Sequence, residues 1–424
     1  MIDFEGGQIF SKKVVIKNAI WLYLGYGLNK IFKIIIIILS ARLLGPEGYG
    51  AFNYALSFLG LFFIISDWGI SSILVRDFQQ SEKKEKIVEH SFTFKIILVL
   101  FCALLSITGY FMLNNEDAKK VYFILLITQV LLSFKDFLNS LFKAIQRMEF
   151  ESIGFFLESL IIFILVVLFL RTNPYTEYLG IFYLLGALFG LIFLLIVAYK
   201  YKLIKFLKIK INKENLMYYL KNGTPLMLYG FLGFIFFTTD HLIIGYYRGM
   251  YELGIYSVAT KIILNLNLLP SIAVAALLPY LSYQVYNKDK LYKIYRKILL
   301  MFIIVSFLLS TLILILAPLF INIFLGEKYM LSIPILKILV WAILFLFPLM
   351  LLDNIIFVFN KQWLNFYLTL TAAFLNLILN IFLVPYYGAY GAIFATLLSQ
   401  FLNFAISYYI VEKIIFEKPI LSYK

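Results

Sequence analysis

The sequence predicts an all-α polytopic membrane protein with about twelve transmembrane helices in two six-helix lobes. Three observations support this fold class: the composition, a series of long apolar segments, and a basic stretch near mid-chain. Hydrophobic residues make up 63% of the 424 residues and charged residues 14%, against roughly 45–50% and about 25% in soluble globular domains. Because a soluble fold still needs a polar exterior, this composition places the chain in a lipid bilayer.

Twelve segments are long enough to cross the membrane, since a transmembrane helix needs roughly 20 mostly apolar residues. The predicted spans are 18–41, 49–74, 91–113, 120–145, 150–170, 177–199, 223–246, 253–283, 298–325, 332–358, 363–385 and 389–411.

The basic residues indicate the orientation of these spans, because Lys and Arg accumulate in cytoplasmic loops. Among the Lys and Arg residues that lie outside the spans or at their ends, 25 fall on the same side of the membrane as the N-terminus and six fall on the opposite side. The six are Arg42, Lys119, Lys120, Arg171, Arg248 and Lys328. We therefore expect both termini in the cytoplasm. This topology accounts for most of the formal net charge of +14, which then does not indicate a nucleic-acid partner.

The sequence offers little for metal, redox or nucleophilic chemistry. Cys102 is the single cysteine, so no intrachain disulfide can form, and only two histidines are present, His90 and His241. No segment matches a phosphate-binding glycine loop, a nucleophile elbow or a metal motif. We expect neither a cofactor nor a metal ion.

A basic stretch divides the chain into six spans and six. We predict an N-terminal lobe at 1–199, a basic amphipathic cytoplasmic linker at 200–222 and a C-terminal lobe at 223–424. Apolar residues alternate with lysines in the linker, which suits an amphipathic helix at the cytoplasmic headgroups. A solvated connection between the lobes is the alternative.

The two halves show signs of an internal repeat at an offset of 204 residues. Gly45 and Gly50 correspond to Gly249 and Gly254, in both cases at the start of the second helix of a half. Halves that both begin inside and hold an even number of helices are parallel repeats. Such repeats are related by a pseudo-twofold axis along the membrane normal, with the substrate pathway between them.

Several charged residues fall inside the predicted spans, where a charge near the bilayer centre costs at least ~2.5–3.5 kcal/mol. Lys30 and Lys33 are three residues apart in the first span, beside Asn29, and that span contains no acidic residue. We therefore expect both lysines to face a cavity, with Asp67 of the second span as their counterion.

Other polar residues inside the spans have structural alternatives to a functional role. Lys135 can be neutralised by the adjacent Asp136, and Asp240 by Lys261 of the next span, while asparagines often hydrogen-bond between helices. The further candidates for a cavity or ion-coupling role are Lys135, Asp240, His241, Asn265 and Asp353.

An excess of lysine inside the membrane favours one class of ligand. Lysine binds phosphate as a compact point charge, so a cleft lined by Lys30 and Lys33 suits an anionic headgroup such as a lipid-linked phosphate or pyrophosphate. A cation exporter would instead favour carboxylates at this position.

Three segments are similar to those of a known family. Residues 40–50, SARLLGPEGYG, resemble the first external turn of polysaccharide-transport flippases, which are the O-antigen and related oligosaccharide flippases of the MATE-like MOP superfamily. Residues 239–261 resemble that family's seventh-to-eighth helix signature. Residues 385–400, which begin PYYGAYGA, resemble its last external turn.

The resemblance implies a transporter rather than an enzyme, without a cofactor. Its substrate would be an oligosaccharide linked to polyprenyl phosphate or pyrophosphate. This substrate would cross the cytoplasmic (inner) membrane by alternating access, for cell-surface polysaccharide or glycan biosynthesis. Carried over by position, the cavity cations that engage phosphate are Lys30, Lys33 and Lys261. We expect a monomer that works beside other glycan-assembly membrane proteins, with H+ or Na+ as the candidate coupling ion.

Two alternatives stay open at this point. A MATE-type ion-coupled drug or cation antiporter shares the fold and predicts an unpaired intramembrane carboxylate in the first lobe. A membrane polysaccharide polymerase or ligase needs a large extracytoplasmic loop, whereas the predicted external loops are short.

Overall fold

The computed structural model describes residues 12–359 and 361–417, and every regular element within these ranges is helical. Eleven of its helices are long and apolar enough to cross a membrane. The first of them, Gly27–Gln80, has 54 residues, which at about 1.5 Å per residue is enough to cross a core of about 30 Å twice. It therefore covers most of the first predicted span and all of the second. The all-α polytopic fold class is confirmed.

The chain divides into two compact units. The first comprises the described residues up to Leu44 together with Ala51–Phe231, and the second comprises Gly45–Gly50 and the described residues from Leu232 onward. The predicted lobes were separated by a linker at 200–222. The structure instead assigns that linker, and the beginning of the helix that follows it, to the first unit.

The first unit contains most of α1, five complete helices and the beginning of α7. These are α1 (Lys12–Phe63), α2 (Ile70–Gln80), α3 (Lys84–Met112), α4 (Glu116–Ala144), α5 (Met148–Phe169), α6 (Thr176–Lys200) and α7 (Lys213–Tyr247). Helix α4 packs on α5 and α6, and α2 packs on α3 and α4. Leu74, Phe94, Leu141 and Leu194 are among the buried side chains of the core that α2, α3, α4 and α6 share.

The second predicted span is interrupted within the membrane. Helix α1 ends at Phe63, a 3-10 turn covers Ile64–Ser66, and α2 begins at Ile70. Trp68 and Gly69 between them have φ angles of 40° and 74°, and the positive φ of the tryptophan is a strained conformation for a residue with a side chain. A break at this depth leaves backbone groups that the protein itself must satisfy, because lipid offers them no hydrogen bonds.

The predicted linker helix is helical only in its second part. Beyond α6 the chain forms a 3-10 turn at Ile204–Phe206, residues 207–212 are not helical, and α7 begins at Lys213. The helix prediction for residues 201–212 is therefore wrong.

The reason is a helix cap at the end of α6. Lys202 has a φ of 58°, its N–H bonds to the carbonyl of Tyr199, and the N–H of Leu203 bonds to the carbonyl of Ala198. This is the Schellman arrangement, which ends helices. It turns the chain so that Leu203 enters the core of the first unit, an apolar contact that outweighs the helical periodicity of the sequence.

The second unit contains the rest of α7 and seven further helices. These are α8 (Met250–Leu266), α9 (Leu268–Tyr283), α10 (Lys288–Phe320), α11 (Ser332–Leu339), α12 (Ile343–Val358), α13 (Gln362–Tyr387) and α14 (Ala389–Ile410). Helices α13 and α14 form an extensively packed pair, and α12 contacts α9, α10 and α14.

Two turns within the second unit support the predicted repeat. Gly45, at the break inside α1, has φ 73° and ψ 175°. Gly249, 204 residues later and immediately before α8, has φ 85° and ψ 177°. These nearly identical backbone angles lie in a region that essentially only glycine adopts.

The same two turns also contact each other reciprocally. A Cβ on Gly50 would collide with the carbonyl oxygen of Met250, and a Cβ on Gly254 would collide with the carbonyl oxygen of Pro46. Residues 46 and 50 correspond to 250 and 254 at the offset of 204. Contacts in which equivalent residues exchange places are the mark of a local twofold relationship.

Candidate functional site

Seven charged side chains of the first unit form a cluster at membrane depth, which we call the lysine cluster. Its members are Lys30 and Lys33 on α1, Asp67 at the break before α2, Lys95 on α3, Lys135 and Asp136 on α4, and Glu158 on α5.

Helix α1 places two of these lysines on one face. Lys33 and Lys30 lie about 18 Å and about 22 Å along the helix from the break at Gly45, and residues three apart share a helix face. Both are half-buried. The neighbouring Asn29 is buried, and its Oδ1 has no hydrogen-bond partner among the described residues. The structure thus brings together the three residues that the sequence singled out in the first span.

Lys135 forms a buried ion pair with Glu158 of α5. The two side chains are 2% and 8% exposed, and the Lys135 ammonium also lies 4.6 Å from the centroid of the Phe155 ring. The ion pair of Lys135 is therefore formed with Glu158, and the adjacent Asp136 adds an electrostatic interaction without forming that pair. Adjacent residues on a helix point in different directions, so the partner comes from the neighbouring helix.

Asp136 has a different environment from Lys135. Its side chain is exposed, and it interacts electrostatically with Lys33, Lys95, Lys135 and Asp67. A carboxylate at this depth requires water or a counterion. Asp136 therefore links Lys33 of α1 electrostatically to the buried Lys95 of α3 and Lys135 of α4.

Lys95 is a member of the cluster that sequence reasoning missed. It is 1% exposed, and its Nζ donates to the carbonyl oxygen of Ser66 at 2.9 Å. It thereby satisfies a backbone group freed by the break in the second span. The available signal was a lysine in the third predicted span, which contains no acidic residue.

Asp67 caps the second part of the broken span. Its Oδ1 accepts from the hydroxyl of Ser71 at 2.5 Å and from the Ser71 N–H at 3.3 Å, and it interacts electrostatically with Lys95. The carboxylate that interacts with Lys33 is that of Asp136. The prediction of Asp67 as the counterion of Lys33 is therefore wrong, since Asp67 is held at the N-terminus of α2.

In the second unit the Asp240 carboxylate is surrounded by uncharged hydrogen-bond donors. Asp240 of α7 is buried and accepts from the Tyr256 hydroxyl at 2.5 Å, the Asn380 amide at 2.7 Å and the Thr396 hydroxyl at 2.9 Å. These donors come from α8, α13 and α14. The alternative in which Lys261 neutralises Asp240 is wrong, because three neutral groups satisfy the carboxylate.

A small cavity lies beside this carboxylate, lined by Asp240, Tyr256, Thr260, Thr396 and Gln400 together with apolar residues of α7 and α12. The adjacent His241 is buried, with its Nε2 3.2 Å from the Thr260 hydroxyl. Its Nδ1 and the Oε1 of Gln400 have no hydrogen-bond partner in the described part of the chain.

The remaining predicted residues of the second unit have separate environments. Lys261 lies 3.2 Å from the Tyr49 hydroxyl and 5.1 Å from the centroid of its ring, a cation–π arrangement. The Asn265 amide donates to the Lys261 carbonyl at 2.8 Å. Asp353 is half-buried on α12, and its backbone carbonyl accepts from Asn365 at 2.8 Å.

A family model described as "Polysaccharide biosynthesis protein" matches residues 15–285, which is more than half of the chain. The protein belongs to this polysaccharide biosynthesis family. The resemblance seen in the sequence motifs is confirmed.

Individual proteins are similar to this chain in sequence or in structure over almost its full length. The capsular polysaccharide biosynthesis protein CapF of Staphylococcus aureus is 24% identical over 411 residues, which is 95% of this chain and 100% of CapF. The inward closed conformation of the lipid II flippase MurJ superposes with a TM-score of 0.76 at 16% identity, covering 93% of this chain and 87% of that one. An inward-facing multidrug resistance MATE family transporter of the MOP superfamily has a TM-score of 0.72 at 15% identity, covering 91% and 95%. This member of the polysaccharide biosynthesis family therefore has the MOP transporter fold.

Proposed function

We propose that this protein translocates an oligosaccharide linked to polyprenyl phosphate or pyrophosphate across the cytoplasmic membrane. It does so by alternating access, as a transporter that makes and breaks no bond, and both of its termini are cytoplasmic. The observation that carries the proposal is the lysine cluster, which places four lysines and three carboxylates at membrane depth in the first unit.

Within the cluster, Lys30 and Lys33 are the groups that bind the phosphate. Lys135 and Lys95 are buried, with Glu158 and the Ser66 carbonyl as their partners. The two lysines of α1 are only half-buried, so a ligand can reach part of each side chain. Ammonium groups bind phosphate strongly through charge-assisted hydrogen bonds. Lys261, which lies in the second unit, is the further phosphate-binding cation that the family resemblance implies.

A proteoliposome assay tests this proposal. A fluorescent polyprenyl-pyrophosphate oligosaccharide is incorporated, and a membrane-impermeant quencher scores the headgroups that have crossed. Lys30→Gln/Lys33→Gln should flip at least about tenfold more slowly, since each lost charged hydrogen bond contributes about 1.5–3 kcal/mol. The matched control is Lys337→Gln, which alters another half-buried lysine of a predicted span and should leave the rate unchanged. Wild-type flipping by the folded double variant would contradict the assignment.

The antiporter alternative rests on a different observation, the buried Asp240 carboxylate and the cavity beside it, although this carboxylate lies in the second unit and not in the first lobe, where that alternative predicts one. A cationic dye offered to the same proteoliposomes distinguishes the two functions. Export of the dye without movement of any polyprenyl substrate would replace the flippase proposal.

The Asp240 site also suggests how translocation is coupled to H+ or Na+. Its three donors lie on three helices, so protonation or cation binding at this carboxylate changes contacts in all of them; His241 and Asp353 are the further candidates. We expect an imposed H+ or Na+ gradient to accelerate flipping by the wild type and not by Asp240→Asn. Equal acceleration of both proteins would exclude Asp240 as the coupling residue.

A further inference from the structure

The non-helical segment between α6 and α7 is fixed to the first unit at the edge of the membrane. The hydroxyl of Thr93 on α3 accepts the Lys210 N–H at 2.9 Å and lies 3.4 Å from the Lys208 carbonyl oxygen. Thr93 is about 28 Å along α3 from the end of that helix at Met112. Because the hydrocarbon core is about 30 Å thick, this attachment lies where hydrocarbon gives way to headgroups.

The segment exposes apolar side chains at this level. Ile209 and Ile211 are 65% and 73% exposed, whereas Leu203 and Phe206 are buried. The buried pair holds the segment against the unit, and the described residues leave most of the surface of the exposed pair uncovered. Neighbouring isoleucines exposed at the membrane boundary are suited to contact with acyl chains.

The same segment carries excess positive charge. Lys202, Lys208 and Lys210 are exposed, and in the described part of the chain the segment's one ion pair is between Lys205 and Glu85, at 3.9 Å. Glu89 of α3 also lines the hollow that contains Lys205 and Lys208. The two nearby acidic residues, Glu85 and Glu89, are therefore fewer than the four lysines of the segment.

We propose that residues 202–211 bind the headgroups of anionic phospholipids in the cytoplasmic leaflet. Ile209 and Ile211 enter the acyl boundary, and Lys202, Lys208 and Lys210 contact the phosphodiesters. Lysines beside an anionic leaflet attract its lipids within about a Debye length. The apolar pair and the lysines together favour a lipid surface over a soluble acidic protein.

The test uses the full-length protein in nanodiscs without any polyprenyl substrate, so its outcome is independent of the proposed flipping activity. In a Cys102→Ala background, Ile209→Cys is labelled with an environment-sensitive fluorophore. Quenching is then compared between brominated phosphatidylglycerol and brominated phosphatidylcholine, each as a minor component of a phosphatidylcholine bilayer. We expect quenching by the anionic lipid to exceed that by the neutral lipid severalfold, and to fall with added salt.

Charge variants make the result specific. Lys202→Gln/Lys208→Gln/Lys210→Gln should reduce quenching by phosphatidylglycerol to the phosphatidylcholine level, and the corresponding arginine variant should restore it. A label at Thr172→Cys, in the exposed turn between α5 and α6, serves as the control and should respond to neither variant. Equal quenching by the two lipids, or unchanged quenching in the glutamine variant, would overturn the proposal. Absence of quenching by either lipid would also overturn it, since Ile209 would then lie outside the bilayer.

Discussion

The two compact units hold charge inside the membrane in different ways. In the first unit the buried Lys135 is neutralised by an opposite charge, Glu158, from a neighbouring helix. In the second unit the buried Asp240 has three neutral hydrogen-bond donors from three helices. When one member of an ion pair is removed, the other member stays buried with an uncompensated charge. When a carboxylate with neutral donors is removed, only the uncharged donors lose their hydrogen-bond partner. The first arrangement should therefore be the more sensitive to substitution.

The largest effect is expected for Glu158→Gln, which leaves the Lys135 ammonium buried without a counter-charge. Breaking a buried ion pair costs about 3–5 kcal/mol, so the free energy of unfolding should fall by that amount in a denaturant titration in mixed micelles. The double variant Lys135→Met/Glu158→Met is the matched control and should recover most of the loss. A loss below about 1 kcal/mol for the single variant would show that the pair is hydrated.

A smaller effect is expected for Asp240→Asn. The amide replaces one of the two accepting carboxylate oxygens with an NH2 group and removes the negative charge, so charge-assisted hydrogen bonds are lost while no charge stays buried. We expect a loss of about 2 kcal/mol in the same titration, with a smaller loss for the half-buried Asp353→Asn. If Asp240→Asn cost as much as Glu158→Gln, the contrast between the two units would not hold.

Effects of a similar or smaller size concern the feature that the two halves share. Gly50→Ala and Gly254→Ala each place a methyl group against a carbonyl oxygen, at positions 204 residues apart. Overpacking of this kind costs about 1–3 kcal/mol, and the reciprocal contact predicts similar values for both. Gly230→Ala on α7 is the control, because its methyl group would meet no atom within 4 Å and alanine favours the helix by about 1 kcal/mol. A neutral Gly50→Ala beside a damaging Gly254→Ala would show that the turns are not equivalent.

Much of the fold was predictable because it follows from hydrophobicity along the chain. The twelve predicted spans fall on helices, with the second, eighth and tenth each divided between two of them. Gly45 and Gly249 have the matching backbone conformations that the repeat implied. Hydropathy averaged over a span did not show the break at Trp68 and Gly69, because the apolar residues on both sides of the short Ser-Asp-Trp-Gly segment keep the average high. It also could not show the cap at Lys202, which depends on the burial of Leu203.

The sequence predicted which residues belong to the candidate site better than it predicted which of them pair with each other. Lys30, Lys33 and Asn29 were identified because charges and amides are rare within spans. The partner of a buried charge depends on which faces of two helices pack against each other. For this reason Lys135 pairs with Glu158 of a neighbouring helix and not with Asp136, and the contact of Lys95 with the Ser66 carbonyl was not predicted. The roles of Lys30, Lys33 and Lys261 in substrate binding stay predictions.

The sequence by itself determined that this chain crosses a membrane about twelve times and carries lysines at membrane depth, because hydrophobicity and charge act residue by residue. Only the tertiary structure decided which of these charges are neutralised and by what. It also decided where the second span breaks and how the linker lies against α3. Electrostatic pairing and backbone hydrogen bonding depend on distances of a few ångströms between segments far apart in the chain, and no local pattern in the sequence specifies those distances.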